Sequence, residues 1–160
     1  MKLYIKQRVF SIGDKYDVCD EWGNPVYHVE SEVFTFLDKI HIYDMQGREL
    51  FFIKRKMSFF GAIYEIYNGD ILCADIRQRV RFLRSQLDIN SQYGQFEIDG
   101  DFFAHNFTVY NGNQLAGTVA KAYLSWGDSY ELDISSYSDP AFFTTLVIAI
   151  DNCLHNENNN

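Results

Sequence analysis

The sequence predicts a mainly β protein, a closed antiparallel barrel of about twelve strands that encloses a hydrophobic C-terminal α-helix. Three observations predict it. Aromatic residues make up 17% of the 160-residue chain, chiefly Phe and Tyr, and with β-branched residues they suit a pleated, half-buried surface. Short alternating runs separated by tight-turn chemistry fill most of the length. One run near the end, in contrast, is apolar on nearly every side.

The strands come first. Lys39-Ile40-His41-Ile42-Tyr43 and Asn106-Phe107-Thr108-Val109-Tyr110 alternate with the period of two that places successive side chains on opposite faces. Between such runs lie Asp20-Glu21-Trp22-Gly23-Asn24-Pro25, Asp44-Met45-Gln46-Gly47-Arg48, Tyr67-Asn68-Gly69-Asp70 and Tyr110-Asn111-Gly112-Asn113. Asn-Gly supplies the positive φ that a tight hairpin demands.

Superimposing the segments exposes a repeat. Val29–Ile42, Ile53–Ile66, Ile76–Ile89 and Val119–Leu132 each read as strand, sharp apolar turn, strand. Phe36, Phe60, Leu83 and Trp126 align at the turns, followed by Ile40, Tyr64, Leu87 and Tyr130, then by His41, Glu65, Asp88 and Glu131. A less regular copy surrounds Phe96. A repeat of two short strands is what a meandering antiparallel sheet produces. About a dozen such strands suffice to close a barrel whose interior strand side chains alone cannot fill.

The last segment supplies the filling. Ser138-Asp139-Pro140 reads as an N-cap followed by proline in the first helical turn. The apolar run from Ala141 to Ile150 then predicts a buried helix at roughly 140–154. Residues 1–155 are expected to form one domain, with 156–160 a disordered tail. The apolar run is too short to span a bilayer, which needs about 20 residues. The stretch from Met1 to Arg8 lacks the uninterrupted apolar core of a secretory signal. A cytoplasmic protein, at most peripheral to a membrane, is the expectation.

The net charge of −8 argues against non-specific nucleic-acid binding. It conceals an asymmetry: residues 1–84 carry 13 Lys+Arg against 12 Asp+Glu, whereas residues 85–160 carry 1 against 10. Any anionic partner would meet the first half. Cys19, Cys73 and Cys153 are widely spaced and odd in number, and read as free, buried thiols rather than a zinc or disulfide framework.

Taken together, the features resemble the LURP-one-related family of the Tubby C-terminal-like superfamily. The opening Tyr4-Ile5-Lys6-Gln7-Arg8-Val9-Phe10 is similar to that family's first strand. So are Ile42-Tyr43-Asp44-Met45-Gln46-Gly47, Ser125-Trp126-Gly127-Asp128-Ser129-Tyr130-Glu131-Leu132 and Val147-Ile148-Ala149-Ile150-Asp151. The resemblance covers residues 1–155 and rests on order and spacing rather than on any single motif. It implies a twelve-stranded closed barrel around a central hydrophobic helix. Functionally it implies less: Tubby relatives bind phosphoinositide headgroups through basic residues, and phospholipid scramblases share the superfamily. This chain is most similar to the small bacterial members, and bacteria generally lack phosphoinositides, so that lipid does not carry over.

Catalytic and metal motifs are absent from the sequence. His28, His41, His105 and His155 show no paired metal-ligand spacing and read as surface or strand histidines, and no GxSxG, GxGxxG or P-loop pattern occurs. No cofactor is implied. Scramblases carry a proposed calcium segment before their hydrophobic stretch, and the similar acidic run here offers Glu131, Asp133 and Asp139 as weak calcium candidates, which a solvated strand face and a helix cap explain equally well.

The basic residues are the strongest functional signal. Arg77, Arg79 and Arg81 alternate along one strand and so share one face, and the equivalent repeat offers Lys54, Arg55 and Lys56, with Arg84 beyond. Such a face can hold phosphate through bidentate guanidinium contacts. The expected function is a non-enzymatic binding module contacting anionic lipid headgroups or a phosphorylated ligand. Two alternatives stand beside it: a scaffold for an unidentified protein partner, and a small-molecule enzyme using Glu131, Asp133 or His105 at a barrel mouth.

Overall fold

Each alternating run becomes a strand in the computed structural model, which describes residues 1–6, 15–32, 35–81, 84–101, 104–124 and 127–155, without side chains at positions 6, 80, 81, 84–86, 128 and 155. The first six strands are β1 (Lys2–Lys6), β2 (Lys15–Cys19), β3 (Pro25–Ser31), β4 (Lys39–Asp44), β5 (Glu49–Lys56) and β6 (Ile63–Asn68). The second six are β7 (Ile71–Arg81), β8 (Arg84–Ser91), β9 (Phe96–Asp101), β10 (Asn106–Asn111), β11 (Gln114–Leu124) and β12 (Gly127–Ile134). Helix α1 (Pro140–His155) follows.

All twelve strands belong to one antiparallel sheet ordered β8-β7-β6-β5-β4-β3-β2-β1-β12-β11-β10-β9. Pairing of β1 with β12, from Lys2 opposite Asp133 to Lys6 opposite Ser129, joins the two ends of the meander. The sheet curls into a barrel whose terminal strands β8 and β9 form no ladder with each other among the described residues; an isolated bridge joins Ser91, at the end of β8, to Gly94, just before β9. The barrel is therefore nearly closed, with a seam between β8 and β9.

The repeat read from the sequence is the hairpin. Val29 faces Ile42, Ile53 faces Ile66, Ile76 faces Ile89 and Val119 faces Leu132, so the two ends of every repeat are cross-strand partners. The irregular copy is the β9–β10 hairpin, where Ile98 faces Val109. Phe36 and Phe60 occupy the turns as expected, whereas Leu83 and Trp126 lie outside the described residues. So do residues 7–10 of the proposed first strand and the tail at 156–160. Gly23, Gly47, Gly69 and Gly112 all have positive φ, as the turn chemistry requires.

Inward residues of the strands, among them Leu3, Ile5, Val18, Val29, Ile42 and Ile53, surround the helix, which is buried from Phe142 to Leu154. Asp139 caps it: the Phe142 amide donates to Oδ1 at 2.6 Å, and Pro140 holds the first helical position. Phe142 packs against Phe51, Tyr93 and Phe96. Gly117 is needed for the helix to approach, because a Cβ there would stand 2.6 Å from Phe143 Cζ. Cys73 and Cys153 are buried thiols outside any disulfide, while Cys19 is only half-buried.

Candidate basic face and seam cleft

The outer surface of β5 to β8 carries the candidate site. Inward Ile53, Ile66 and Ile76 fix the register, so the intervening residues point to solvent. Lys54 lies opposite Glu65, which lies opposite Asp75, which lies opposite Asn90. In the next row Lys56 lies opposite Ile63, then Arg77, then Asp88. Lys54, Lys56, Arg77 and Arg79 thus share one face, interleaved with three carboxylates.

Those carboxylates engage the cations. Lys56 Nζ is 3.1 Å from Glu65, Arg77 Nε donates to Asp75 at 2.6 Å, and Arg79 Nε pairs with Asp88. Lys54 makes no ion pair among the described residues. The Arg77 and Arg79 side chains remain 56% and 61% exposed. A guanidinium holds five N–H donors in a fork, so one carboxylate contact through Nε does not exhaust it.

Arg77 and Arg79 also line a cleft of about 1000 Å³ along the seam. Residues 87–91 of β8, Phe96, Glu97 and Ile98 of β9, and Gly94 and Gln95 between the two strands form the rest of its walls. This cleft had no signature in the sequence, because it arises where two strands fail to pair.

Arg55 does not join the basic face. Its alternation with Ile53 turns it inward, where its Nη1 lies 3.9 Å from Asp38 and Tyr64 donates its hydroxyl to the same carboxylate at 2.5 Å. The side chains of Arg81 and Arg84 lie outside the described residues.

The other candidates fall apart spatially. Glu131 and Asp133 do share the outer face of β12, but Glu131 accepts from Lys2 at 2.6 Å and from Tyr4 at 2.8 Å. The Lys2 contact, then that of Tyr4, holds the Glu131 carboxyl below its ordinary range. Asp139 serves as the helix cap, and no metal-binding group of three His, Cys, Asp or Glu occurs among the described residues.

His105 is neither a surface nor a strand histidine. It occupies the turn before β10 with φ of 51° and is buried against the helix. Its Nε2 lies 2.5 Å from Asp151, and its ring stacks on Tyr130 at 4.0 Å. Burial, chiefly, drives the Tyr130 hydroxyl well above its ordinary pKa. The space around the pair is too small for a water molecule, so it offers no substrate chamber. His105 points inward while Glu131 and Asp133 point outward, so the three do not assemble one catalytic site.

Helix α1 plugs the barrel, and no helix among the described residues is long and apolar enough to cross a membrane. Comparison with known proteins matches this architecture. The chain is similar to the crystal structure of a protein from Arabidopsis thaliana, with a TM-score of 0.66 over 94% of this chain and 89% of that one. At 17% identity that likeness shows the fold alone. It is also 30% identical over 157 residues to the uncharacterized protein YxjI of Bacillus subtilis (strain 168), covering 98% of this chain and 96% of that one. A family model, LURP-one-related, matches residues 1–151, and with the barrel, the central helix and these relatives in place the chain belongs to the LURP-one-related family.

Proposed function

We propose that the protein is a non-enzymatic binding module whose basic strand face holds anionic headgroups or another phosphorylated ligand. One observation carries the reading: Arg77 and Arg79 stand side by side at the edge of an open cleft, more than half exposed, with Lys56 in the same cross-strand row as Arg77. Planar guanidinium groups match phosphate oxygens in pairs. Near an anionic bilayer each cation contributes about 1 kcal/mol, so four in one face suffice for reversible attachment.

The neighbouring carboxylates shape this binding. A phosphate displaces Asp75 and Asp88 from the two arginines or shares them, so affinity stays moderate and salt-sensitive. The same pairing favours a second reading, in which the arginines are structural and the protein is a scaffold for another protein.

Co-sedimentation with vesicles of rising phosphatidylglycerol content separates the two. Wild type should bind more as anionic lipid rises and less as salt rises, and Arg77→Ala/Arg79→Ala should remain folded and lose binding. Absence of wild-type binding at low salt, to vesicles and to inositol hexakisphosphate alike, would overturn the anion reading. Salt-tolerant capture of one protein partner by the double variant would favour the scaffold.

A further inference from the structure

In this antiparallel meander the odd strands end and the even strands begin at one rim, and the reverse holds at the other. The first rim carries unusually exposed apolar tips. Phe36, between β3 and β4, is 88% exposed. Met57, Phe59 and Phe60, between β5 and β6, are 69%, 96% and 91% exposed. These loops are neighbours, since the Arg55 amide donates to the Asp38 carbonyl at 2.9 Å. Tyr123, near the end of β11 on the same rim, is also exposed.

A single exposed apolar side chain is ordinary, but several at near-full exposure on adjacent loops mark an interaction surface. Trp22 and Tyr137 are exposed at the opposite rim, so exposure alone does not choose between the two. Charge does. Asp20, Glu21, Asp44, Glu49, Asp70 and Asp139 crowd the opposite rim against Lys2 and Arg48. On the segments leading to the first, Lys39, Lys54, Lys56, Arg77, Arg79 and Lys121 offset Glu32, Asp38, Glu65, Asp75, Asp88 and Asp101, so that rim lacks the acidic excess an anionic surface would repel.

We propose that the barrel docks on an anionic bilayer through this rim, with Phe36, Met57, Phe59 and Phe60 entering the interfacial zone while Lys54, Lys56, Arg77 and Arg79 meet the headgroups. The inference rests on the anion-binding reading and adds an orientation and an apolar anchor to it. A lipid surface fits better than a protein groove. The tips are almost wholly exposed on inter-strand loops, and a bilayer interface accepts apolar anchors beside basic residues without demanding shape complementarity.

The test uses the full chain on vesicles of phosphatidylcholine alone and mixed with phosphatidylglycerol. Phe36→Ser/Phe59→Ser/Phe60→Ser should keep the wild-type melting temperature, since its three sites face water. It should lose about tenfold or more in affinity for the mixed vesicles, leaving a weak, salt-sensitive remainder. Phe60→Trp should show a blue shift and quenching by brominated lipid, read by difference against the parent. Unchanged binding by the triple Phe variant, with no quenching, would overturn insertion and assign the tips to a protein contact. The anion reading would survive that result if Arg77→Ala/Arg79→Ala still lowers binding. No wild-type binding to mixed vesicles would overturn the membrane docking outright, and a phosphorylated soluble ligand would then be the remaining form of the anion reading.

Discussion

His105 Nε2 meets Asp151 Oδ1 at 2.5 Å inside the barrel, tying the turn before β10 to the central helix across 46 residues of sequence. Both side chains are more than nine-tenths buried, so neither partner is replaced easily by water. Breaking such a pair by removing one member typically costs about 3–5 kcal/mol, because the other is left buried without it. Asp151→Ala should therefore lower the urea-unfolding free energy by about 3 kcal/mol or more. Asp151→Ala/His105→Ala should lose less than the sum of its single variants. Additive losses would show that the pair does not act as a unit.

Gly117→Ala probes the seat of the helix. The new methyl would press on the Phe143 ring and stand 2.8 Å from the Asp133 carbonyl oxygen. The close approach of backbone strand and helix leaves little room for either to yield. A loss of about 1–3 kcal/mol is expected in thermal or urea unfolding. A neutral or stabilising result would mean that the helix packs less closely against β11.

Asp139→Ala should cost about 1 kcal/mol, the usual value of an N-cap side chain. Asp139→Asn should recover most of that loss, since an amide oxygen can accept from the Phe142 amide. Equal losses in the two variants would assign the role of Asp139 to its charge.

A pH effect follows from His28. Its ring bonds Asp17 at 2.7 Å and Glu30 at 3.1 Å, and these contacts, led by Asp17, raise its pKa above the ordinary 6.5. A group whose folded pKa is raised stabilises the fold when protonated. The contribution is full below pH 6.5 and disappears as pH rises through the folded value. Stability should fall across that window in wild type and fall less in His28→Gln. Identical pH profiles for the two proteins would sink this assignment.

Hairpin architecture was legible in the sequence for a physical reason. Cross-strand partners such as Ile53 and Ile66 sit a fixed number of residues apart when turns are similar, so a repeat of hairpins is also a repeat of sequence. The helix was legible too, because Asp139-Pro140 followed by an all-round apolar run has few other solutions. The candidate site was only partly visible. Period two placed Arg77 and Arg79 together, but it equally turned Arg55 inward, which a cluster of three consecutive cations conceals. The seam left no trace, because strand alternation reports faces and not whether β8 and β9 pair. One clue to the buried dyad was available: Asp151 is the one carboxylate in a largely apolar helix and called for a partner. Its partner His105 sits in a turn, where no periodic pattern could point to it.

The most direct test of the anion-binding account is the dependence of vesicle affinity on ionic strength, measured on phosphatidylglycerol-containing vesicles for wild type and Arg77→Ala/Arg79→Ala. The account predicts affinity that falls steadily as salt screens the basic face, and a weaker, flatter dependence when the two guanidinium groups are removed. Indistinguishable affinities and salt profiles for the two proteins would contradict it, and the arginines would then be no more than partners of Asp75 and Asp88.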